Sequence, residues 1–187
     1  MMAKPAGELA GIAKRFCGKT LMYCFFQRGS WGSLKRFDRP AILTLVDQSG
    51  DAHDVVLTGI EGQRVQLSIG GVSVSHPAAA VSELWFGEYM LLWRPPNGAS
   101  LSLGPGARGP NVLWLRQSLA SIDARYATQA PDSDIYDSDL QQQVRAFQRD
   151  NRLDVDGLAG RQTQIIINSL LAPGSAPRLT IPRLAQE

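Results

Sequence analysis

Hydrophobic residues follow a strand pattern through the middle of the chain. After Pro40 the short runs AILTLV, HDVVLTGI, RVQLSI and VSVS are rich in β-branched residues and are separated by the turn signals QSG, EG and GG. Such runs joined by such turns predict consecutive antiparallel strands. A further apolar run, from Gly87 to Trp93, follows a helical turn expected around Ser82–Trp85. The pattern therefore predicts about five strands.

Two short helices are predicted before these strands. The first lies in GELAGIAKRF, where the apolar residues at helical spacing are Leu9, Ile12, Ala13 and Phe16. The second is a turn of helix that ends before Pro40 and carries Trp31, Leu34 and Phe37. Helices in front of an antiparallel sheet indicate an α+β domain with its helices on one side of the sheet.

The hydrophobic period becomes helical beyond RPPNGASLSLGPGARGP, whose prolines and glycines mark a domain boundary. Three short helices are predicted there, with a core of Val112, Leu115, Leu119, Leu140, Val144, Phe147, Leu153, Val155, Ile166 and Leu170. The proline-containing end has no period and indicates a tail or a surface strap. We therefore divide the chain into an α+β domain at 1–96, a three-helix domain at 97–172 and a tail at 173–187.

Charge and composition exclude several classes of function. The formal net charge is +2, and basic residues alternate with acidic ones between Asp123 and Arg161, so we expect no nucleic-acid partner. The longest apolar runs, near Leu21–Phe26 and Tyr89–Trp93, are too short for a membrane span. The N-terminal residues lack a hydrophobic signal core, which fits a cytosolic protein or a piece of a longer one, and we favour the piece.

The chain has two cysteines, Cys17 and Cys24, and two histidines, His53 and His76. None of them has the paired spacing of a zinc site, so we expect no metal and no cofactor. In one continuous helix the two cysteines would lie about 10 Å apart, beyond disulfide reach. A disulfide requires the helix to stop between them, for which Gly18 is suited, and the sequence leaves the bridge open.

The loops of the helical domain carry the most specific pattern. Glycines precede its first helix, and the turn VDGLAG stands between its second and third helices. The pattern resembles the peptidoglycan-binding module of cell-wall hydrolases at Gly106, Gly109, Val112, Leu115, Leu119, Tyr136, Leu140, Val144, Phe147, Gln148, Leu153, Val155, Asp156, Gly157, Gly160 and Thr163. Two departures are Arg116, where the family has glutamine, and the long acidic excursion at 124–138.

Most of these positions are core or turn residues, so the pattern indicates architecture more strongly than binding. Polar residues next to its turns are the candidate contacts for a peptidoglycan ligand: Tyr136, Arg145, Gln148, Asp156, Arg161 and Thr163. The alternative interpretation is structural. Arg145 and Gln148 then form a solvated helix surface, and Asp156 caps the third helix or holds its own turn.

The N-terminal domain resembles papain-like peptidases of the bacteriocin-processing type. DRPAILTLV, HDVVLTGI and LWFGEYMLLW carry the likeness, with His53 at the position of the catalytic base. The orienting Asp-Pro of that family is replaced here by Ile69–Gly71, and its nucleophile lies much farther upstream than Cys17 or Cys24. We therefore expect a retained fold without the catalysis. The alternative is a cysteine peptidase or amidase that uses Cys17 or Cys24 with His53.

The two domains in this order resemble the periplasmic region of the general secretion pathway protein A family. The resemblance implies a non-catalytic periplasmic anchor, a piece of an inner-membrane protein that binds peptidoglycan and helps the secretin of type II secretion to assemble. Its implied partners are general secretion pathway protein B and, indirectly, the secretin; homo-oligomerisation is left open. The chain has no GxxxxGK[ST] motif for the family's ATPase activity. A pure protein-interaction domain is the remaining alternative.

Overall fold

The structure is a computed structural model that describes residue 17 and residues 22–96, 102–171 and 177–180. The described residues form two compact units. The N-terminal unit extends to Trp93 and also includes residues 177–180, whereas the helical unit begins at Arg94. The division thus falls just before the predicted boundary between residues 96 and 97.

The N-terminal unit is built on one antiparallel sheet of six strands, and the predicted α+β class is confirmed. The strands are β1 Tyr23–Arg28, β2 Ala41–Val46, β3 Ala52–Glu61, β4 Arg64–Ile69, β5 Val72–Pro77 and β6 Trp85–Trp93. Their order across the sheet is β1-β6-β2-β3-β4-β5, so the last strand in sequence lies between β1 and β2. Among its described residues, two helices accompany the strands, α1 Trp31–Phe37 and α2 Ala78–Ser82.

The predicted count of about five strands is corrected to six. The missed strand is β1, in which Phe25 alone is buried, so its own sequence gives little alternation. It becomes a strand by pairing with β6, from Tyr23 opposite Trp93 to Arg28 opposite Glu88. The helical turn expected around Ser82–Trp85 ends at Ser82, and β6 already begins at Trp85. The helix predicted in GELAGIAKRF lies outside the described residues.

The core of this unit lies on one face of the sheet. Along β2 the side chains alternate between buried and half-buried, as a strand with one covered face requires. Leu34 and Phe37 from α1 are buried, as are Leu43, Leu57 and Leu91 from the central strands. Phe37 meets Phe25 edge to face at 5.8 Å between ring centroids.

The helical unit contains α3 Pro110–Ile122, α4 Ser138–Asp150 and α5 Arg161–Leu171, with a short 3₁₀ turn at Ala124–Tyr126. Proline occupies the first turn of α3, where its missing N–H costs nothing. Asp137 caps α4 by accepting a hydrogen bond from Leu140 N at 2.8 Å. No described helix is long and apolar enough to cross a bilayer.

Eight of the ten predicted core residues are buried, and two are not. Val155 and Leu170 are 45% and 43% exposed, whereas Ile165 and Ile167 are fully buried. Val155 lies in a turn that points outward, and Leu170 lies in the last turn of α5. Helical spacing places a residue on a face, but it cannot show how far the opposing surface extends.

Candidate functional site

Three segments of the helical unit come together beside its helices. Leu103 forms an isolated antiparallel bridge with Ala159, in which Leu103 N donates to Ala159 O at 3.2 Å and Ala159 N to Leu103 O at 2.8 Å. On their other side Tyr136 N donates to Ala107 O at 2.8 Å, and Gly106 N donates to Tyr136 O at 3.1 Å. We call the surface formed by 102–109, 133–137 and 153–160 the loop face.

Gln148 holds the loop face from below. Its side chain is 2% exposed, and its amide nitrogen donates to Asp156 Oδ1 at 2.8 Å and to Leu158 O at 2.9 Å. Its amide oxygen accepts a hydrogen bond from Gly157 N at 2.9 Å. A buried amide whose donors and acceptor are all paired fixes the groups around it, so Gln148 determines the shape of the VDGLAG turn.

Two other predicted contact residues belong to the same support. Tyr136 is 1% exposed and donates its hydroxyl to Gly157 O at 2.8 Å. Burial raises the pKa of Tyr136 well above its usual range, and the hydroxyl stays protonated as a donor. Thr163 is 3% exposed and lies 3.4 Å from the Gln148 amide nitrogen. Tyr136, Gln148 and Thr163 therefore lie beneath the surface, where they position other groups.

The remaining predicted residues, Arg145, Asp156 and Arg161, are exposed. Asp156 uses one carboxylate oxygen within the turn, where it accepts a hydrogen bond from Leu158 N at 2.8 Å. Arg161 begins α5, directly after the loop. Leu158 is 40% exposed beside these charges. Asp156 and Leu158 of the loop face, together with Arg145 and Arg161 from the helices next to it, thus present a carboxylate, an apolar side chain and two guanidinium groups.

Gly157 brings the turn against Arg145. Its φ of +74° is favourable only for glycine. A Cβ atom at this position would lie 2.8 Å from Arg145 Nε and 2.9 Å from Gln141 Cγ. The absent side chain therefore lets the guanidinium of Arg145 lie directly on the turn.

Sequence reasoning did not identify Arg116 as a member of this support. Arg116 is 1% exposed and donates to Ser133 O at 3.0 Å, to Ile135 O at 2.8 Å and to Asp137 Oδ2 at 2.8 Å. The two departures from the family pattern, the arginine and the long excursion, are therefore one arrangement, because Arg116 holds the end of the excursion against the helices. An arginine inside an apolar helix, followed by an acidic insertion, was the available signal.

Asp137 responds electrostatically to this arrangement. Desolvation acts to raise its pKa, but the hydrogen bonds from Leu140 N and from the Arg116 guanidinium prevail, and the pKa of Asp137 lies below its usual value. The carboxylate therefore stays ionised in its two roles, as the cap of α4 and as the partner of Arg116.

In the N-terminal unit, His53 pairs with a carboxylate that sequence reasoning missed. His53 Nε2 lies 2.8 Å from Asp47 Oδ2. The other oxygen of Asp47 accepts hydrogen bonds from Ser49 N at 2.9 Å and Asp51 N at 3.0 Å. The hydrogen bond from His53 is the first cause of the lowered pKa of Asp47, followed by that from Asp51 N. The pair closes the turn between β2 and β3.

The cysteines are bonded to each other, which answers the question that the sequence left open. Cys17 and Cys24 form a disulfide with Cα atoms 5.5 Å apart. Cys24 of β1 lies opposite Leu92, near the end of β6. His53 of β3 lies opposite Leu45 of β2, and Leu45 pairs on its other side with Trp85, the first residue of β6. From Trp85 to Leu92 a strand rises about 23 Å. The described residues therefore do not bring a cysteine sulfur to His53.

In the described part of the chain, no three His, Cys, Asp or Glu side chains lie close enough together to hold a metal ion. Only pairs such as His53 and Asp47 occur there.

Known protein families match both units of the chain. A family model described as GspA, peptidase C39-like domain, matches residues 6–95, and a peptidoglycan binding domain model matches residues 108–167. The chain is 31% identical over 152 residues to general secretion pathway protein A of Aeromonas hydrophila, which covers 80% of this chain and 27% of that protein. The chain thus spans little more than a quarter of that relative.

Two of the solved structures that are similar to the chain illustrate the likeness. One is the periplasmic domain of the EpsAB fusion protein of the Vibrio vulnificus type II secretion system. Its match spans 96% of this chain and 93% of the EpsAB chain, with a TM-score of 0.54 and 24% identity. The N-terminal peptidase C39 like domain of the toxin secretion ATP-binding protein from Vibrio parahaemolyticus covers 49% and 70%, with a TM-score of 0.37 and 23% identity. With both of its units matched by family models, the chain belongs to the general secretion pathway protein A family, as a peptidase C39-like domain followed by a peptidoglycan-binding domain.

Proposed function

We propose that the chain binds peptidoglycan through the loop face, without catalysis, and so anchors an assembly factor of type II secretion in the cell wall. The observation that carries the proposal is the rigid support under the loop face. Buried Gln148, Tyr136 and Thr163 hold the VDGLAG turn, which exposes Asp156 next to the exposed side chains of Arg145 and Arg161. Groups held in place before binding lose little conformational entropy when a ligand arrives.

The exposed groups match the chemistry of a wall polymer. Peptidoglycan offers carboxylates on its peptide stems and amides and hydroxyls along both its peptide and its glycan. Guanidinium groups bind carboxylates through charge-assisted hydrogen bonds, so Arg145 and Arg161 are the proposed contacts to stem carboxylates. Asp156 has a second oxygen available for amide or hydroxyl donors, and Leu158 supplies apolar contact. Tyr136, Gln148 and Thr163 are proposed to position these groups rather than to touch the ligand.

Three features support the absence of catalysis. A thiolate nucleophile is needed within hydrogen-bond reach of the base, but Cys17 and Cys24 are disulfide-bonded. They also lie at the far end of β6 from His53. His53 itself is paired with Asp47 in a turn whose backbone donors occupy the carboxylate. These contacts favour a structural role for His53 over that of a base in a peptidase or amidase.

The setting of the proposed anchor follows from its relatives. Similarity to general secretion pathway protein A supports a place in the periplasm, as a part of a longer inner-membrane protein. The EpsAB fusion protein, a similar fold, supports a B-type protein of the same pathway as the partner. We propose that general secretion pathway protein B binds this protein and that wall anchoring helps the secretin to assemble.

Co-sedimentation with purified sacculi tests the binding step. Residues 177–180 belong to the N-terminal unit, so the informative variant replaces residues 97–172 with a flexible linker and keeps the C-terminal segment. The intact chain is expected to pellet with sacculi and the variant to stay in the supernatant. Pelleting of both would assign binding to the N-terminal unit. Pelleting of neither would favour a pure protein-interaction domain.

A further inference from the structure

The described part of the C-terminal segment is bound to the N-terminal unit through one carboxylate. Asp38 ends α1 with a φ of 51°, a left-handed conformation that aspartate tolerates. Its Oδ1 accepts hydrogen bonds from Leu179 N at 3.1 Å, Thr180 N at 2.8 Å and Thr180 Oγ1 at 2.6 Å. Arg178 Nε lies 3.5 Å from the other oxygen. One side chain thus contacts three consecutive residues.

The same segment adds to the sheet. β2 covers β3 only as far as Leu57, which lies opposite Ala41 at the start of β2. Beyond that point Ile60 N donates to Leu179 O at 2.6 Å, and Ile60 forms a parallel bridge with Thr180. The segment therefore continues the sheet where β2 has not yet begun, in the manner of strand addition.

The side chains of the segment differ in burial. Leu179 is fully buried, whereas the Arg178 side chain is 52% exposed. Thr180 is exposed, and its hydroxyl donates a hydrogen bond to Asp38. Main-chain hydrogen bonds in such sites provide general affinity, and alternate side chains provide specificity. The pattern that fits is a basic residue, a leucine and a hydroxyl residue in extended conformation.

We propose that Asp38 and the edge of β3 near Ile60, which β2 leaves uncovered, form a peptide-binding site for extended segments with this pattern. Its resident ligand is the chain's own segment Arg178–Thr180. A partner segment of the same pattern binds only when the resident segment is displaced, so this site couples partner binding to release of the C-terminal end. The loop face takes no part in it, because that surface belongs to the helical unit.

Fluorescence anisotropy with a labelled peptide of residues 175–182, SAPRLTIP, tests the site in the full chain. Leu179→Asp should free the site, and the peptide should bind this variant at least about tenfold more tightly than wild type. In wild type the tethered segment competes at an effective concentration on the order of millimolar. Arg178→Ala/Thr180→Val removes the side-chain contacts to Asp38 but keeps the buried leucine, so it should give a smaller gain in peptide affinity. This variant provides the test if Leu179→Asp unfolds.

Two variants make the test specific. Asp38→Ala added to either opened variant should abolish peptide binding, since it removes the shared acceptor. Leu184→Asp alters the second Pro-Arg-Leu of the chain and should behave as wild type. The proposal is overturned if the peptide binds no opened variant, if it binds equally well without Asp38, or if Leu184→Asp opens the site as Leu179→Asp does.

Discussion

The loop face and the His53 turn are both polar networks, and they differ in what they leave exposed. Under the loop face, buried Gln148 forms hydrogen bonds with the backbone of the VDGLAG turn. The side chains of Arg145 and Arg161 next to that turn remain exposed. At the His53 turn, Asp47 receives the imidazole and two backbone N–H groups. A network of the first kind leaves charged side chains exposed next to a fixed turn, whereas one of the second kind uses its polar groups within the turn.

The largest expected effect comes from Gln148→Leu, which removes the partners of Asp156, Gly157 and Leu158 at once. Unpaired buried groups cost about 1–3 kcal/mol each, so we expect the free energy of unfolding of the helical unit to fall by about 2–4 kcal/mol. Gln142→Leu, on the exposed side of α4, is the matched control and should change little. Equal denaturation midpoints for the two variants would remove Gln148 from its supporting role.

Arg116→Met should have the next largest effect. It leaves the carbonyls of Ser133 and Ile135 without their donor and Asp137 without its ion pair, at a cost of about 2–3 kcal/mol. Chemical denaturation measures the loss, with exposed Arg149→Met on α4 as the control. If Arg116→Met matches its control, the arginine does not hold the excursion.

Gly157→Ala tests the close approach of the turn to Arg145. We expect a loss of more than about 1 kcal/mol from the left-handed backbone together with the contact to Arg145 Nε. Gly106→Ala is a matched control, because its φ is +84° but nothing lies within 4 Å of its Cβ position. The difference between the two losses isolates the contacts to Arg145 and Gln141, and a difference of zero would show that neither side chain rests on the turn.

The smallest effect is the acid sensitivity of the His53 turn. The pKa of folded Asp47 lies below its usual value of 3.8, so its contribution to stability is present above that pH and is lost as the pH falls through the folded pKa. Melting temperatures between pH 5 and pH 3 should therefore fall less steeply for Asp47→Asn than for wild type. Parallel curves would show that the pair contributes no stability.

Local patterns in the sequence predicted most of the strands and helices of both units. Alternation predicted β2 to β5, and helical spacing predicted α3, α4 and α5. β1 escaped because Phe25 is its one buried residue and the strand forms by pairing with β6, which is distant in sequence. The burial of Arg116 also escaped, because a charged residue is expected outside unless its distant acceptors are known.

The candidate site was predicted only in outline. The VDGLAG turn located the loop face, but the six candidate contacts included three that lie beneath it. Spacing along a helix cannot separate an exposed glutamine from one, like Gln148, that points at a turn eight residues later. The docking of Leu179 escaped for a similar reason, since Asp38 is 141 residues away in sequence.

Quantitative co-sedimentation with sacculi of Arg145→Ala/Arg161→Ala tests the role of the loop face most directly. Its control, Arg125→Ala/Arg149→Ala, loses two other exposed arginines of the same unit and hence the same charge. Charge-assisted hydrogen bonds contribute about 1.5–3 kcal/mol each, so the loop-face variant should bind at least about tenfold more weakly while the control binds nearly as wild type. Equal weakening of both variants would contradict the account, because binding would then follow net charge rather than this surface.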